Sequence, residues 1–142
     1  MTSSGFFNPE QVERQVEYWF DLCEYDIETA KVMLVSGRLL YVGFMCHQVV
    51  EKGLKAAFVA SQKTFPPRLH ALVALAQRAG LYGNMSEEQR RLLDTLEPLN
   101  IECRYPAQKD LLLASLTQAR CQELIIETGD MLAWIKIQLS KK

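Results

Sequence analysis

Apolar residues recur along most of the chain at alternating spacings of three and four positions, which is the repeat of an amphipathic α-helix. The clearest stripe consists of Val12, Val16, Trp19, Cys23, Ile27, Ala30 and Leu34. It follows Asn8-Pro9-Glu10, where a capping side chain precedes a proline with no donor to lose and an acid that the helix dipole favours. It stops near Ser36-Gly37. The pattern predicts a long first helix.

A second helix is predicted from about Leu39 to Gln62, because Pro66-Pro67 prevents continuation. Glycine inside a helix costs about 1 kcal/mol relative to alanine, so we expect Gly53 to admit another helix at close range. A short third helix fits His70 to Ala79.

Ser86 and Gln89 match a capping box and predict a fourth helix that runs to about Asn100, or ends earlier at Pro98. The final predicted helix runs from about Lys109 to Ser140 and carries two apolar stripes. One stripe is Leu111, Ala114, Cys121, Ile125, Leu132, Ile135 and Leu139; the other is Leu113, Leu116, Leu124, Met131 and Trp134. Two stripes indicate either burial on both sides within the chain or a subunit contact. We expect a homodimer, with a fully central helix as the alternative.

No strand, repeat or long linker is evident, so we expect one all-α domain over residues 1–142, with its core at about 9–140. A net charge of -1 and a pI near 6.1 give no global electrostatic attraction for nucleic acid, although a local basic patch stays open. The apolar runs, such as Ala71 to Ala76, are shorter than a membrane span, and no signal peptide is evident, which predicts a cytoplasmic protein outside membranes.

The four cysteines are far apart, and with only two histidines they predict neither a metal site nor a cofactor. Reduced thiols packed as small apolar groups are the better interpretation.

The predicted second helix contains polar side chains between residues 44 and 56, in an otherwise apolar stretch. At 3.6 residues per turn, His47, Glu51 and Lys55 form one column, and Gln48 and Lys52 form the next. Packing alone rarely places such polar groups in an apolar helix, so this stretch contains the main candidates for a functional site.

Five sets of residues together carry a family resemblance. They are Asp26-Ile27 with Ala30, Gly37 with Tyr41, Phe44 to Ala56, His70-Ala71-Leu72, and Arg104-Tyr105-Pro106. In this order the chain resembles a HEPN domain (higher eukaryotes and prokaryotes nucleotide-binding domain) over roughly residues 17–136. The resemblance implies an up-and-down bundle of about five helices that usually dimerises. It also implies a role near nucleotides or RNA, often beside a minimal nucleotidyltransferase partner in a toxin–antitoxin arrangement.

Many HEPN proteins are metal-independent ribonucleases with an arginine followed after four to six residues by a histidine. The cation holds the phosphate and the imidazole moves a proton. Here the window after Arg104 holds Lys109, Asp110 and Leu111, and His47 follows Arg38 by nine residues. The usual ribonuclease motif is therefore absent, and His47 or His70 could serve as a base only by meeting Arg104 in space.

The candidate ligand-binding residues are His47, Glu51, Lys52, Lys55, Arg68, Arg104 and Tyr105. Each also has a structural interpretation. His47 can be a core histidine bonded to Glu51, and Glu51 with Lys55 can be an ordinary helix ion pair. His70 can cap a helix, Arg104 can bridge helix carbonyls instead of gripping a phosphate, and Tyr105 can pack instead of stacking on a base.

The leading hypothesis for function is a nucleotide- or nucleic-acid-binding module that acts with a nucleotidyltransferase partner. Two alternatives come from other classes: a metal-independent ribonuclease toxin that uses His47 or His70 with Arg104, and a purely structural dimerisation protein without a ligand.

Overall fold

The computed structural model describes residues 5–100 and 106–141, and within them every regular element is helical. The α-helices are α1 (Pro9–Val35), α2 (Leu39–Gln62), α3 (Leu72–Arg78), α4 (Glu87–Leu96), α5 (Pro106–Ser115) and α6 (Gln118–Ser140). Short 3₁₀ turns follow α3 at Tyr82–Asn84 and α4 at Glu97–Leu99. The all-α prediction is confirmed, with six helices in place of about five.

Both predicted helix starts are present, because their capping groups lie next to them in sequence. Asn8 Oδ1 accepts from the Gln11 backbone N–H at 2.8 Å, and Gln11 Oε1 accepts from Asn8 N–H at 2.9 Å. Ser86 and Gln89 form the same reciprocal pair at 3.1 and 2.8 Å. After α1, Gly37 has a φ of +76°, a left-handed value that glycine adopts without strain.

Helix α2 is the centre of the molecule and packs against α1, α3, α4 and α6. The close approach of side chains from other helices and turns to α2 depends on two of its glycines, Gly43 and Gly53. A Cβ atom on Gly53 would lie 3.2 Å from Ile135 Cδ1 of α6, as the sequence led us to expect. A Cβ on Gly43 would meet Leu99 Cδ1 at 2.8 Å, a closer contact that sequence reasoning did not identify.

The prediction of one final helix from Lys109 to Ser140 is wrong, because the chain breaks between α5 and α6. Thr117 adopts an extended conformation, and its Oγ1 accepts from the Arg120 backbone N–H at 3.1 Å, so that it caps a new helix. Leu116, just before the cap, is buried. The third helix also begins later than predicted, at Leu72 instead of His70.

Helix α6 buries residues of both predicted stripes within the chain. They are Cys121, Ile125, Leu132 and Ile135 from one, and Leu124 and Met131 from the other. Its neighbours α1, α2 and α4 together cover this wide face. The double stripe is therefore explained without a second subunit, and it no longer supports a homodimer. None of the described helices combines the length and apolarity needed to cross a bilayer.

Candidate functional site

Glu51, in the middle of α2, is the centre of a cluster of ionisable side chains. Its carboxylate is buried and accepts a hydrogen bond from Lys55 Nζ at 2.9 Å. His70 Nδ1 lies 3.2 Å from both carboxylate oxygens. His47 Nδ1 lies 3.7 Å from Oε1, close enough for an ionic contact but too far for a hydrogen bond. We call Glu51, Lys55, His47 and His70 the Glu51 cluster.

His47 is the most deeply buried member of the cluster, with no exposed surface. Burial lowers the pKa of its imidazole below the ordinary value of 6.5, while Glu51 and the Gln48 side chain, 3.4 Å from Nδ1, partly oppose that shift. The neutral ring is therefore favoured. Nε2 of His47 is buried and has no hydrogen-bond partner among the residues that the structure describes.

Trp19 of α1 forms the second wall of the cluster. The Nζ atom of Lys55 lies 5.7 Å from the centroid of the indole ring, so the cation faces both a carboxylate and an aromatic surface. The indole Nε1 is buried and, within residues 5–100 and 106–141, has no hydrogen-bond partner. His47 Nε2 and Trp19 Nε1 are thus two buried ring nitrogens without a hydrogen-bond partner in the described part of the chain, which is uncommon for buried polar groups.

His70 reaches the cluster from the segment between α2 and α3. Lys63 ends α2 in a left-handed conformation with a φ of 60°, and Pro66-Pro67 follow. Leu72 N–H, at the start of α3, donates to the Glu97 carboxylate at 2.9 Å, so a distant side chain anchors this end. His70 lies two residues before α3 and directs its ring to Glu51 instead of capping that helix.

The His70 side chain is 63% exposed, so the cluster opens to solvent at this residue. A carboxylate accepts only, so Nδ1 carries the proton in its contact with Glu51. In the neutral tautomer Nε2 then has a free lone pair. This carboxylate–imidazole arrangement can accept a proton or a hydrogen bond from a ligand.

Lys52 belongs to a different contact. Its Nζ atom donates to Asp26 Oδ2 of α1 at 2.5 Å, and the Asp26 side chain is buried. Lys52 and Lys55 therefore do not form one cationic ledge. Asp26 and Trp19 were not among the predicted site residues. The signal for Asp26 is an acidic residue next to Ile27 on the apolar face of α1, whereas Trp19 is indistinguishable from the other apolar residues of that stripe.

The remaining candidates are Arg68, which makes no contact with the cluster that defines a site, and two residues outside the described part of the chain. Arg68 is exposed, and no ion pair in the described chain involves it. Arg104 and Tyr105 lie outside the described residues, so their proposed contacts stay predictions. Among residues 5–100 and 106–141, no group of three or more His, Cys, Asp and Glu could hold a metal ion.

Cys23, Cys46 and Cys121 are buried free thiols, while Cys103 lies outside the described residues. Burial raises the pKa of Cys23 to about 12 and that of Cys46 to about 11, which suppresses the reactive thiolate form. These cysteines are packing residues.

Comparison with known proteins gives one match at the level of the family. The family model described as "HEPN domain" matches residues 16–138, which is most of the chain. No curated protein and no solved structure matches it significantly. The match agrees with the all-helical fold of the described residues and spans the residues of α1 and α2 that carry the resemblance. The chain belongs to the HEPN domain family.

Proposed function

We propose that the protein is a nucleotide- or nucleic-acid-binding module whose ligand contacts the solvent-exposed side of the Glu51 cluster. Membership of the family supports a nucleotide- or RNA-associated module in general terms. The observation that carries the proposal is local: the buried carboxylate of Glu51 contacts both Lys55 and His70, and the His70 side chain is 63% exposed to solvent.

The chemistry of the cluster suits an anionic ligand with hydrogen-bonding groups. Lys55 has three N–H donors, of which its one described hydrogen bond to Glu51 uses one. His70 adds a solvent-facing nitrogen, and Arg68 lies two residues away in the same segment. In this proposal Glu51 positions Lys55 and His70, and these two residues contact the ligand together with Arg68. The other predicted members are His47, Lys52, Arg104 and Tyr105; of these, Lys52 would have to leave Asp26 to take part.

We further propose a single domain over residues 1–142 in the cytoplasm and, on the family resemblance, a homodimer. Its proposed partner is a minimal nucleotidyltransferase in a toxin–antitoxin-type pair. Sequencing the neighbouring reading frames is the direct test of that pairing, and a neighbourhood without a nucleotidyltransferase argues against it.

Calorimetric titration tests the binding proposal with ATP, GTP and a short single-stranded RNA. We expect heat from at least one of these ligands, and a loss of binding of roughly tenfold or more for His70→Ala and Arg68→Ala. Lys31→Ala is the matched control, because Lys31 is an exposed cation paired with Glu28 on α1. The absence of heat and of a thermal shift with all three ligands would favour the purely structural dimer.

The contact between Glu51 and His70 specifically favours a second candidate function, a metal-independent ribonuclease. Glu51 would hold His70 so that Nε2 takes the proton from a 2′-hydroxyl. The 2′-oxygen then attacks the adjacent phosphorus and displaces the 5′-oxygen, which takes up a proton from water. RNA cleavage in the presence of a chelator tests this, and His70→Ala should abolish it. If the wild-type protein gives no cleavage, the enzyme hypothesis is wrong whatever the variants do.

A further inference from the structure

A second concave surface lies between α4 and α6 and shares no residue with the Glu51 cluster. It is a half-open cleft of about 400 Å³, which falls in the size range of small-molecule sites. Helix α4 contributes Glu88, Arg91 and Leu92, and α6 contributes Arg120, Asp130 and Met131. The cleft therefore combines charged walls with apolar side chains.

Among the described residues, no ion pair connects the charged side chains of α4 with those of α6 across the cleft. Arg120 is neutralised on its own helix, with Nη1 at 3.5 Å from Glu123 and 3.2 Å from Glu127. Arg91, Glu88 and Asp130 take part in no ion pair within the described part of the chain. One cation and two anions consequently face the cleft with unused capacity.

The cleft also has apolar lining residues. Leu92 and Met131 are almost completely buried and line it from opposite helices. Aliphatic stems of charged molecules commonly lie on such surfaces while their charged ends stay at the rim. A ligand that matches this arrangement carries one negative group, two positive groups and a methylene chain.

We propose that the cleft between α4 and α6 binds a basic amino acid of the lysine or arginine type. Arg91 pairs with the ligand carboxylate, Glu88 and Asp130 pair with its two cationic groups, and Leu92 and Met131 contact its methylene stem. Nucleotide phosphates fit poorly, because Glu88, Glu127 and Asp130 place three carboxylates around two arginines. This inference does not depend on the function proposed for the Glu51 cluster.

Calorimetry with the full chain tests the inference, using L-lysine, L-arginine, L-leucine, L-glutamate and putrescine as separate probes. We expect L-lysine or L-arginine to bind, and each of the other three to bind at least roughly tenfold more weakly, since each lacks one required charge. Putrescine is the sharpest comparison with lysine, because it keeps both cations and the methylene chain but has no carboxylate.

Arg91→Gln and Asp130→Asn should each weaken binding of the basic amino acid by roughly tenfold. The matched controls are Arg14→Gln on α1 and Asp94→Asn on α4, exposed charges that do not line the cleft. Thermal melts check that all four variants fold. Because all four substituted residues are exposed, we expect melting midpoints similar to that of the wild type. The inference is wrong if neither basic amino acid binds, if putrescine binds as tightly as lysine, or if binding survives Arg91→Gln.

Discussion

Two ionic contacts on neighbouring columns of α2 differ in kind. Asp26 and Lys52 form a one-to-one pair between α1 and α2, with oxygen and nitrogen 2.5 Å apart. Glu51, one residue before Lys52, has three partners from two parts of the chain, and His47 keeps a buried nitrogen with no partner among the described residues. Helix packing explains the pair fully, because each charge satisfies the other. It does not explain the cluster, in which the exposed His70 side chain contacts the buried Glu51 carboxylate, an arrangement that suits a ligand better than packing.

Removing the carboxylate of Glu51 should produce the largest loss of stability. Glu51→Ala leaves Lys55 buried without its counter-charge, a situation that typically costs about 3–5 kcal/mol. Urea unfolding of the variant and the wild type measures the difference. Glu28→Ala, which removes an exposed carboxylate paired with Lys31, should cost less than about 0.5 kcal/mol. Equal losses for the two variants would show that the cluster is an ordinary surface network.

Breaking the pair between the helices should have a smaller effect. Asp26→Asn removes the charge that faces Lys52, but the lysine side chain is 20% exposed and can turn toward water. We therefore expect a loss of about 1–2 kcal/mol. A double-mutant cycle with Lys52→Met isolates the energy of the pair. If the loss reaches that of Glu51→Ala, the distinction between pair and cluster fails.

Acidification should destabilise the protein through His47, and the loss of stability per pH unit should be smaller than the loss expected from either substitution above. Burial lowers the pKa of His47 in the folded state, so the unfolded chain takes up this proton first as the pH falls below 6.5. The stability that the neutral ring contributes is thus present above that pH and is lost below it, with a slope of at most about 1.4 kcal/mol per pH unit.

Urea unfolding at several pH values, for the wild type and for His47→Gln, checks this dependence. The two proteins differ only at residue 47, so the difference between their two slopes isolates His47. If the substitution leaves the slope unchanged, burial does not lower the pKa of His47 in the folded state, and the prediction is wrong.

The sequence predicted those parts of the fold that depend on near neighbours. The starts at Asn8 and Ser86 were correct, because their capping partners lie three residues away. The break at Thr117 was missed, since threonine is compatible with a helix interior and neither glycine nor proline marks the position. Burial of Leu116 against the rest of the chain accompanies the break, and local sequence does not show that contact.

The same limit applies to the candidate site. Helix geometry alone placed His47, Glu51 and Lys55 in one column of α2, and the ion pair between Glu51 and Lys55 is present. The contacts of Glu51 with His70 and of Lys52 with Asp26 join residues 19 and 26 positions apart. They depend on how the segment after α2 folds back and on how α1 packs, so periodicity could not predict them.

The last contact to test is the one between His70 and Glu51, which should matter least for stability. The His70 side chain is 63% exposed, so solvent screens its interaction, and His70→Ala should cost no more than about 1 kcal/mol in urea unfolding. The same substitution should weaken nucleotide or RNA binding, because it removes the solvent-facing nitrogen of the Glu51 cluster. His70→Gln offers a donor to Glu51 through its amide and should restore part of the binding. If His70→Ala instead lowers stability as much as Glu51→Ala and leaves binding unchanged, the cluster is a folding element, and its resemblance to a ligand site is misleading.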